Sequence, residues 1–334
     1  MKIQKKLICC LAGIVALPVM GAFAETEGIS IELITTFDYP GTGVSTQPQK
    51  INNKGDIAGI FNDASGIRHG FVRFRDGSFS DPITDPNDQG GLTEGRGINN
   101  ARLVCGDYLD VNTGNYVGFF LKGGVYTDYI VPGSSWTLVL GVNDAGDFCG
   151  SDVPASGLQS GYVSINGTVT EFAVRTATNT LAYQINDADV SCGYWTDPNG
   201  ITHGFFRESN GRIRSPIDPA GSQGTIVFGN NDDNWIVGRY PDSSGVTHAF
   251  LFIPPKRYIT YDYPDATFTS FNGINNDGMI TGRYEIAGVG HGILLQATRS
   301  AADQSVTGTI PKLQMPQSKS DPAPLVVEPK GPAY

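Results

Sequence analysis

One short phrase constrains this chain more than anything else in it. A hydrophobic-Asn pair, a few turn residues and a Gly closing a short apolar run occur six times. The copies are INNKGDIAG (51–59), INNARLVCG (98–106), VNDAGDFCG (142–150), INDADVSCG (185–193), NNDDNWIVG (230–238) and INNDGMITG (274–282). Their starts lie 47, 44, 43, 45 and 44 residues apart. A fixed period in that range, with strand-forming content, is the mark of a stacked or radial repeat fold.

Each unit reads as four short strands. One surrounds the phrase, and the second is the apolar run ending in Gly plus an aromatic. The third begins with HGF or a relative (HGFVRF, VGFFLK, GYVSI, HGFFRE, HAFLF, HGILLQ), and the fourth resembles GSFSDPI or GVYTDYIV. Runs of four to eight residues rich in Val, Ile, Phe, Tyr and Thr, bounded by Gly, Asn, Asp and Pro, favour strands. Asp76-Gly77, Lys122-Gly123-Gly124, Asn166-Gly167 and Asn210-Gly211 link the third strand to the fourth, because Asn and Gly accept the positive φ of tight hairpins. Asp63, Asp110, Asp197 and Asp242 open the preceding turns, each followed by a Gly. Their side chains suit turn amides and lack the spaced oxygens of a calcium loop.

Four antiparallel strands per period predict an all-β, six-bladed β-propeller with four-stranded blades, an open β-solenoid being the alternative. Residues 31–38 (IELITTFD) read as a fourth strand without its third, and the last unit ends at 291–296 as a third strand without its fourth. Pairing the two closes the ring in a shared blade and removes both free edges.

The ends differ from the repeats. Lys2, Lys5 and Lys6, an apolar stretch and Ala22-Phe23-Ala24 form a secretory-signal pattern over residues 1–24. The propeller is expected over 25–297, and residues 298–334 read as a disordered, proline-rich tail. The expected location is therefore secreted or periplasmic, with no membrane span in the mature chain. The chain has 33 Asp and Glu against 23 Lys and Arg, a formal charge of −10. Loss of the three leader lysines takes it to −13, which disfavours nucleic acid and anionic lipid as partners. A monomer with a glycan or protein ligand is expected.

GIN-x-x-G-x-[apolar]-x-G-x-[aromatic], followed by Asp-x-x-Gly and HGF or HAF, resembles the HAF-type bacterial extracellular repeat. The clearest matches are Gly273, Ile274 and Asn275 with Gly282, Tyr284 and His291, and Gly238 with Tyr240, Asp242, Gly245 and His248. The resemblance covers 31–297 and implies an exported β-rich repeat protein, with no agreed reaction and no catalytic residues to carry over. Val117 and Ser160 stand where the pattern has His.

Repetition also sorts the chemistry. Cys105, Cys149 and Cys192 each precede a closing Gly where other units have Ala58, Val237 and Thr281, so packing is the leading role for these thiols. A disulfide between adjacent units and a metal site are the weaker alternatives; no metal or cofactor is expected. His69, His203, His248 and His291 share one repeat position and read as structural, their nitrogens bonding turn or neighbouring-blade backbone. By contrast, the residue after the closing Gly varies: Ile60, Asp107, Ser151, Tyr194, Arg239 and Arg283. Strand alternation turns this set away from the aromatic residue that follows it. Asp107, Tyr194, Arg239 and Arg283 are therefore the ligand-contact candidates, with Glu94 and Arg96 a secondary lead from the least repeat-like stretch. No nucleophile elbow, HExxH or phosphate loop is present. A non-catalytic binding propeller is expected, and a propeller-type polysaccharide lyase or glycoside hydrolase is the alternative.

Overall fold

The computed structural model describes residues 23–26, 28–41 and 45–299. The leader expected at 1–24 and the tail expected at 298–334 fall outside these residues, apart from their inner ends. The described chain has strands and no helix, and no helix in it is long and apolar enough to cross a membrane.

A hairpin of β1 (Phe23–Thr26) and β2 (Ile29–Phe37) leads in. The first unit is β3 (Thr46–Ile51), β4 (Ile57–Asn62) and β5 (Arg68–Arg73). The second is β6 (Glu94–Ile98), β7 (Val104–Asp110), β8 (Asn115–Lys122) and β9 (Val125–Tyr129). The third is β10 (Thr137–Val142), β11 (Phe148–Asp152), β12 (Ser160–Ile165) and β13 (Thr168–Phe172). The fourth is β14 (Asn179–Ile185), β15 (Ser191–Thr196), β16 (Thr202–Arg207) and β17 (Ile213–Ile217). The fifth is β18 (Ile226–Asn230), β19 (Ile236–Pro241), β20 (Thr247–Ile253) and β21 (Arg257–Tyr261). The sixth is β22 (Phe268–Ile274), β23 (Met279–Ile286) and β24 (Val289–Arg299), completed by β2.

This is a β-propeller, with two departures from the expected six separate four-stranded blades. Hydrogen bonding gives five sheets: three of four strands, one of three and one of nine. The nine-stranded sheet joins the fifth and sixth units through a single parallel bridge, Thr247 to Phe268. In the first unit the fourth strand is reduced to the bridges Arg73–Phe79 and Gly70–Ile83.

The ring closes as the terminal strands require. β2 runs antiparallel to β24 with Glu32 opposite Gln296, so an early strand and the last described strand share a blade. At the axis the phrase's Asn side chains tie the units together. Nδ2 of Asn52 donates to the carbonyl of Asn99, Asn99 to Asn143, Asn143 to Asn186, Asn186 to Asn231, Asn231 to Asn275, and Asn275 back to Asn52, at 3.0–3.2 Å. Oδ1 of the same Asn holds its own turn, as Asn186 does by accepting from the amides of Ala188 and Val190. A second ring runs through the next residue, each backbone amide donating to the following unit's Asn53, Asn100, Asp144, Asp187, Asp232 or Asn276 side chain at 2.7–3.0 Å. An open solenoid has no bond from its last unit to its first.

Inside each unit, the closing Gly is fixed by sterics. Every inner strand bulges opposite it, between residues 48 and 50 in the first unit and at equivalent places in the rest. A Cβ on Gly106, Gly150 or Gly193 would sit 1.9 Å from an inner-strand carbonyl oxygen. The aromatic of the HGF segment fills the space above: Phe71, Phe119 and Phe250 press on Gly59, Gly106 and Gly238, and each is fully buried. Burying one such ring stabilises by about 1.5–3 kcal/mol. Inner strands such as β10 are buried on both faces because neighbouring units cover them, whereas β9 and β13 at the perimeter are half in water. A buried Thr starts the inner strand of all six units (Thr46, Thr93, Thr137, Thr180, Thr225, Thr269). In five of them its hydroxyl accepts an amide of the incoming connection, as from Val131 to Thr137 at 2.9 Å.

The histidines are scaffold, though their partners are not the backbone. Nδ1 meets the Thr84 hydroxyl or the carboxylates of Asp218, Asp262 and Asp38, and for His69, His203 and His248 Nε2 faces the turn aspartate of the same unit. Each ring also lies 4.8–5.2 Å from the aromatic after the closing Gly pair: Phe61, Trp195, Tyr240 or Tyr284. The histidines stand on third strands, away from the axis. The turn aspartates behave as read, Asp63 Oδ1 accepting from Ser65 and Ile67. Cys105, Cys149 and Cys192 are each buried and unpaired, so no disulfide joins adjacent units among the described residues. Burial pushes the Cys105 and Cys192 thiols up to about 12 and Cys149 well above its usual value, which keeps them protonated.

In the third unit Asp152 occupies the aromatic's place, fully buried, with Oδ1 unpartnered and Oδ2 accepting from Ser134. Burial pushes its pKa up to about 6.

Two outcomes follow from these contacts. Asn186→Ala removes three hydrogen bonds at the ring and should cost about 1.5–4 kcal/mol in urea denaturation. A carboxyl pKa raised on folding contributes stability only below its unfolded value, and loses it as pH rises through about 6. Asp152→Asn should therefore leave Tm nearly unchanged at about pH 4 and raise it by roughly 2–4 °C at about pH 7.5. Equal effects at both pH values in a thermal-melt series would refute the assignment.

Candidate functional site

The axis has two unlike ends. At the end carrying the Asn rings, a depression of about 50 Å³ is lined by the repeated Asn, Asp and Ile residues. Asp144, Asp187 and Asp232 gather there, and burial together with the neighbouring charges raises the Asp187 pKa. Asn100 and Asn276 donate side-chain amides to Asp144 and Asp232. Among the described residues no group of His, Cys, Asp or Glu is arranged to hold a metal ion.

The opposite end carries the four candidates at equivalent register. Asp107 pairs across the ladder with Glu94, Tyr194 with Leu181, Arg239 with Ile226 and Arg283 with Ser270. Their environments differ. Asp107 has no exposed surface, so it acts on a ligand only through Arg96, whose Nε donates to Asp107 Oδ1 at 3.1 Å. Arg96 also pairs with Glu94 through Nη2, and Glu94 accepts in turn from Arg68. Burial raises the Asp107 pKa against the pull of Arg96, and Asp107 Oδ2 has no partner.

Tyr194, Arg239 and Arg283 are half-buried and meet the mouth of the axis. Tyr194 stacks on Tyr183, whose ring stands edge-on to Phe228 at 5.1 Å. Arg239 lies 5.1 Å from both Phe228 and Phe268, and Arg283 lies 4.5 Å from Phe268. Arg283 also pairs with Glu285 at 3.0 Å, and burial brings its pKa down to about 10. Burial raises the Tyr194 pKa, so its hydroxyl stays a hydrogen-bond donor. Tyr116 and Trp136 continue the aromatic lining at 5.8 Å from each other. The arrangement offers guanidinium groups and ring faces side by side, which suits a ligand with a flat apolar face and polar or anionic edges.

The structure thus brings three of the four candidates to one mouth, sets the fourth beneath Arg96, and joins Glu94 and Arg96 to them. Lys50, Arg68, Tyr183, Phe228 and Phe268 escaped the sequence reading. The signal for three of them was present. The third residue before the ring Asn reads Gln49, Arg96, Leu140, Tyr183, Phe228 and Asn272, and the second before it reads Lys50, Gly97, Gly141, Gln184, Gly229 and Gly273. The first column varies as much as the one after the closing Gly, and the second is Gly in every unit but the two that carry Lys50 and Gln184.

No protein-family model and no curated protein matches the chain. Among solved structures it is similar to streptogramin B lyase, at 13% identity and a TM-score of 0.48 over 82% of this chain and 92% of that one. It is also similar to AofleA from Arthrobotrys oligospora, at 13% identity and a TM-score of 0.49 over 79% and 88%. A third is the six-bladed Aleuria aurantia lectin, at 14% identity and a TM-score of 0.46 over 75% and 92%. Likeness at these levels carries no argument about function, and the propeller assignment stands on the strand pairing and the closed Asn ring.

Proposed function

We propose that the protein is an exported, HAF-type propeller that binds a saccharide without turning it over, at the axial mouth formed by Arg96, Tyr183, Tyr194, Arg239 and Arg283. The observation that carries this reading is the convergence of non-repeated residues. The repeated Asn, Thr, Gly, Cys and His positions are all committed to the scaffold, while columns that vary meet at one end of the axis. Ring faces beside guanidinium donors match the apolar face and hydroxyl edge of a sugar. The leader-like pattern at 1–24 supports export.

The carboxylates near the mouth favour binding over hydrolysis or elimination. Acid–base catalysis needs a carboxyl free to exchange a proton with the substrate. Glu94 is clamped between Arg68 and Arg96, Asp107 lies under Arg96 with no exposed surface, and Glu285 is paired with Arg283.

A glycan array on the purified protein, followed by calorimetry on the best ligand, tests the reading. Arg239→Ala and Arg283→Ala should each weaken binding roughly 5- to 30-fold, the equivalent of about 1–2 kcal/mol for a lost polar contact. Reducing-end and unsaturated-product assays should show no turnover. Product release abolished by Glu94→Ala would replace the binding reading with the enzymatic one.

A further inference from the structure

The axis narrows at the second residue before the ring Asn. Gly97, Gly141, Gly229 and Gly273 line it so closely that an added Cβ would meet the next unit's backbone, at 2.8 Å from Gln184 Cα for Gly141 and 2.9 Å from Lys50 Cα for Gly273. Lys50 and Gln184 replace Gly in the first and fourth units, three steps apart in a ring of six and so opposite each other. Lys50 crosses this centre, since its Nζ reaches the ring of Tyr183 in the fourth unit.

Lys50 is 3% exposed. Its Nζ donates to the Asn272 carbonyl at 3.2 Å and lies 5.6 Å from the centre of the Tyr183 ring, which places it toward the Arg-bearing mouth. Among the described residues no carboxylate pairs with it. The charged and titratable groups that face it are Arg96, which repels it, the Tyr183 ring, and the thiols of Cys105, Cys149 and Cys192. An ammonium with one neutral acceptor and no counter-charge is costly to bury. Burial accordingly lowers its pKa to about 8.

The surroundings share the imbalance. Lys50, Arg68, Arg96, Arg239 and Arg283 gather at this end against Glu94, Asp107 and Glu285, in a chain whose formal charge is −10. Arg96 uses Nε and Nη2 on its two carboxylates, which leaves Nη1 uncommitted.

We propose that Lys50 is the floor of an anion subsite, so that the saccharide bound at the mouth is an acidic one whose carboxylate seats over Lys50 and Arg96 while its ring lies against Tyr183 and Tyr194. The sugar part of this inference rests on the proposed function; the anion subsite does not. A free small carboxylate shares the same chemistry, and the test separates the two sources.

Calorimetry with hexuronate oligomers and neutral hexose oligomers of equal length, at about pH 6.5 and about pH 9, reads the preference directly. The wild type should bind the acidic oligomer about 10- to 100-fold more tightly at the lower pH, the range of one charge-assisted hydrogen bond. The preference should shrink at the higher pH, where Lys50 loses its proton while Arg96 keeps its charge and the Cys105 and Cys192 thiols, held up at about 12, stay neutral. Lys50→Met should shrink the preference at about pH 6.5 to the level the wild type shows at about pH 9. Lys50→Gln serves if the Met variant does not fold, and the pH comparison on the wild type needs neither. A second arm measures Tm in acetate against an equal concentration of a neutral solute, where a rise in the wild type and none in Lys50→Met supports the subsite. Equal affinity for both oligomers, unchanged by the substitution, overturns the subsite and leaves the binding reading intact. If no saccharide binds, the sugar reading falls, and the acetate arm alone decides: a rise confined to the wild type upholds the anion subsite, and no rise overturns it.

Discussion

Six side-chain amides donating in a circle hold this fold together, and each does so from a turn that it also shapes. The Asn of every unit uses Nδ2 to reach the next unit's carbonyl and Oδ1 to accept amides of its own turn. The donating job cannot be passed to Asp, which has no donor, and neither job can be passed to Leu, which has no polar atom. The bond from Asn275 back to Asn52 makes the circle complete, and it spans most of the chain in sequence. Such a contact carries a large loop-closure cost, which local contacts must first offset. The shared blade lowers that cost in effect, because the long β2–β24 ladder brings the same two ends together. Ring and ladder are thus two halves of one closure, the ring at the axis and the ladder spanning the blade.

Much of this could be read from residues because repetition averages out local ambiguity. One Asn-Gly pair between apolar runs is a weak sign of a hairpin; several in phase with a fixed period are a strong one. Asn166 and Gly167 do take positive φ, and so do Gly66, Gly200 and Gly245 in the Asp turns. What the period could not report was pairing that depends on a partner far away in sequence. The closing Gly was legible as a constant, but its cause, a carbonyl of a bulged inner strand 1.9–2.8 Å from any added Cβ, appears only when both strands are in place. The Thr at the start of each inner strand was equally constant and went unread, since its bond goes to an irregular connection with no sequence pattern.

The histidines show how a correct role can hide a wrong partner. Their recurrence marked them as scaffold, and backbone was the simplest acceptor to expect. The structure gives them carboxylates instead, from the turn and from the end of the fourth strand. Burial alone would lower the His248 pKa, but Asp262 and Asp242 outweigh it and the net direction is upward. A histidine held this way contributes stability below its unfolded pKa and loses it as pH rises through the folded one. His291 extends the device to the closure, since its partner Asp38 lies just beyond the strand that completes the last blade.

The site was half legible, for a geometric reason. Variation after the closing Gly marks the second strand of a blade, whose side chains rise beside the axis, and three of those four residues reach the mouth. Variation on the inner strand itself matters more, because that strand lines the axis. Its pleat is broken by the bulge, so simple alternation fails to say which residues face the centre. Lys50 follows from that rule. In a regular strand it would share a face with Pro48 and Asn52; across the bulge it takes the axial place that Gly holds in four other units. A sixfold scaffold therefore has one column that close packing against the next unit reserves for Gly, and this chain departs there twice, once with a cation and once with an amide.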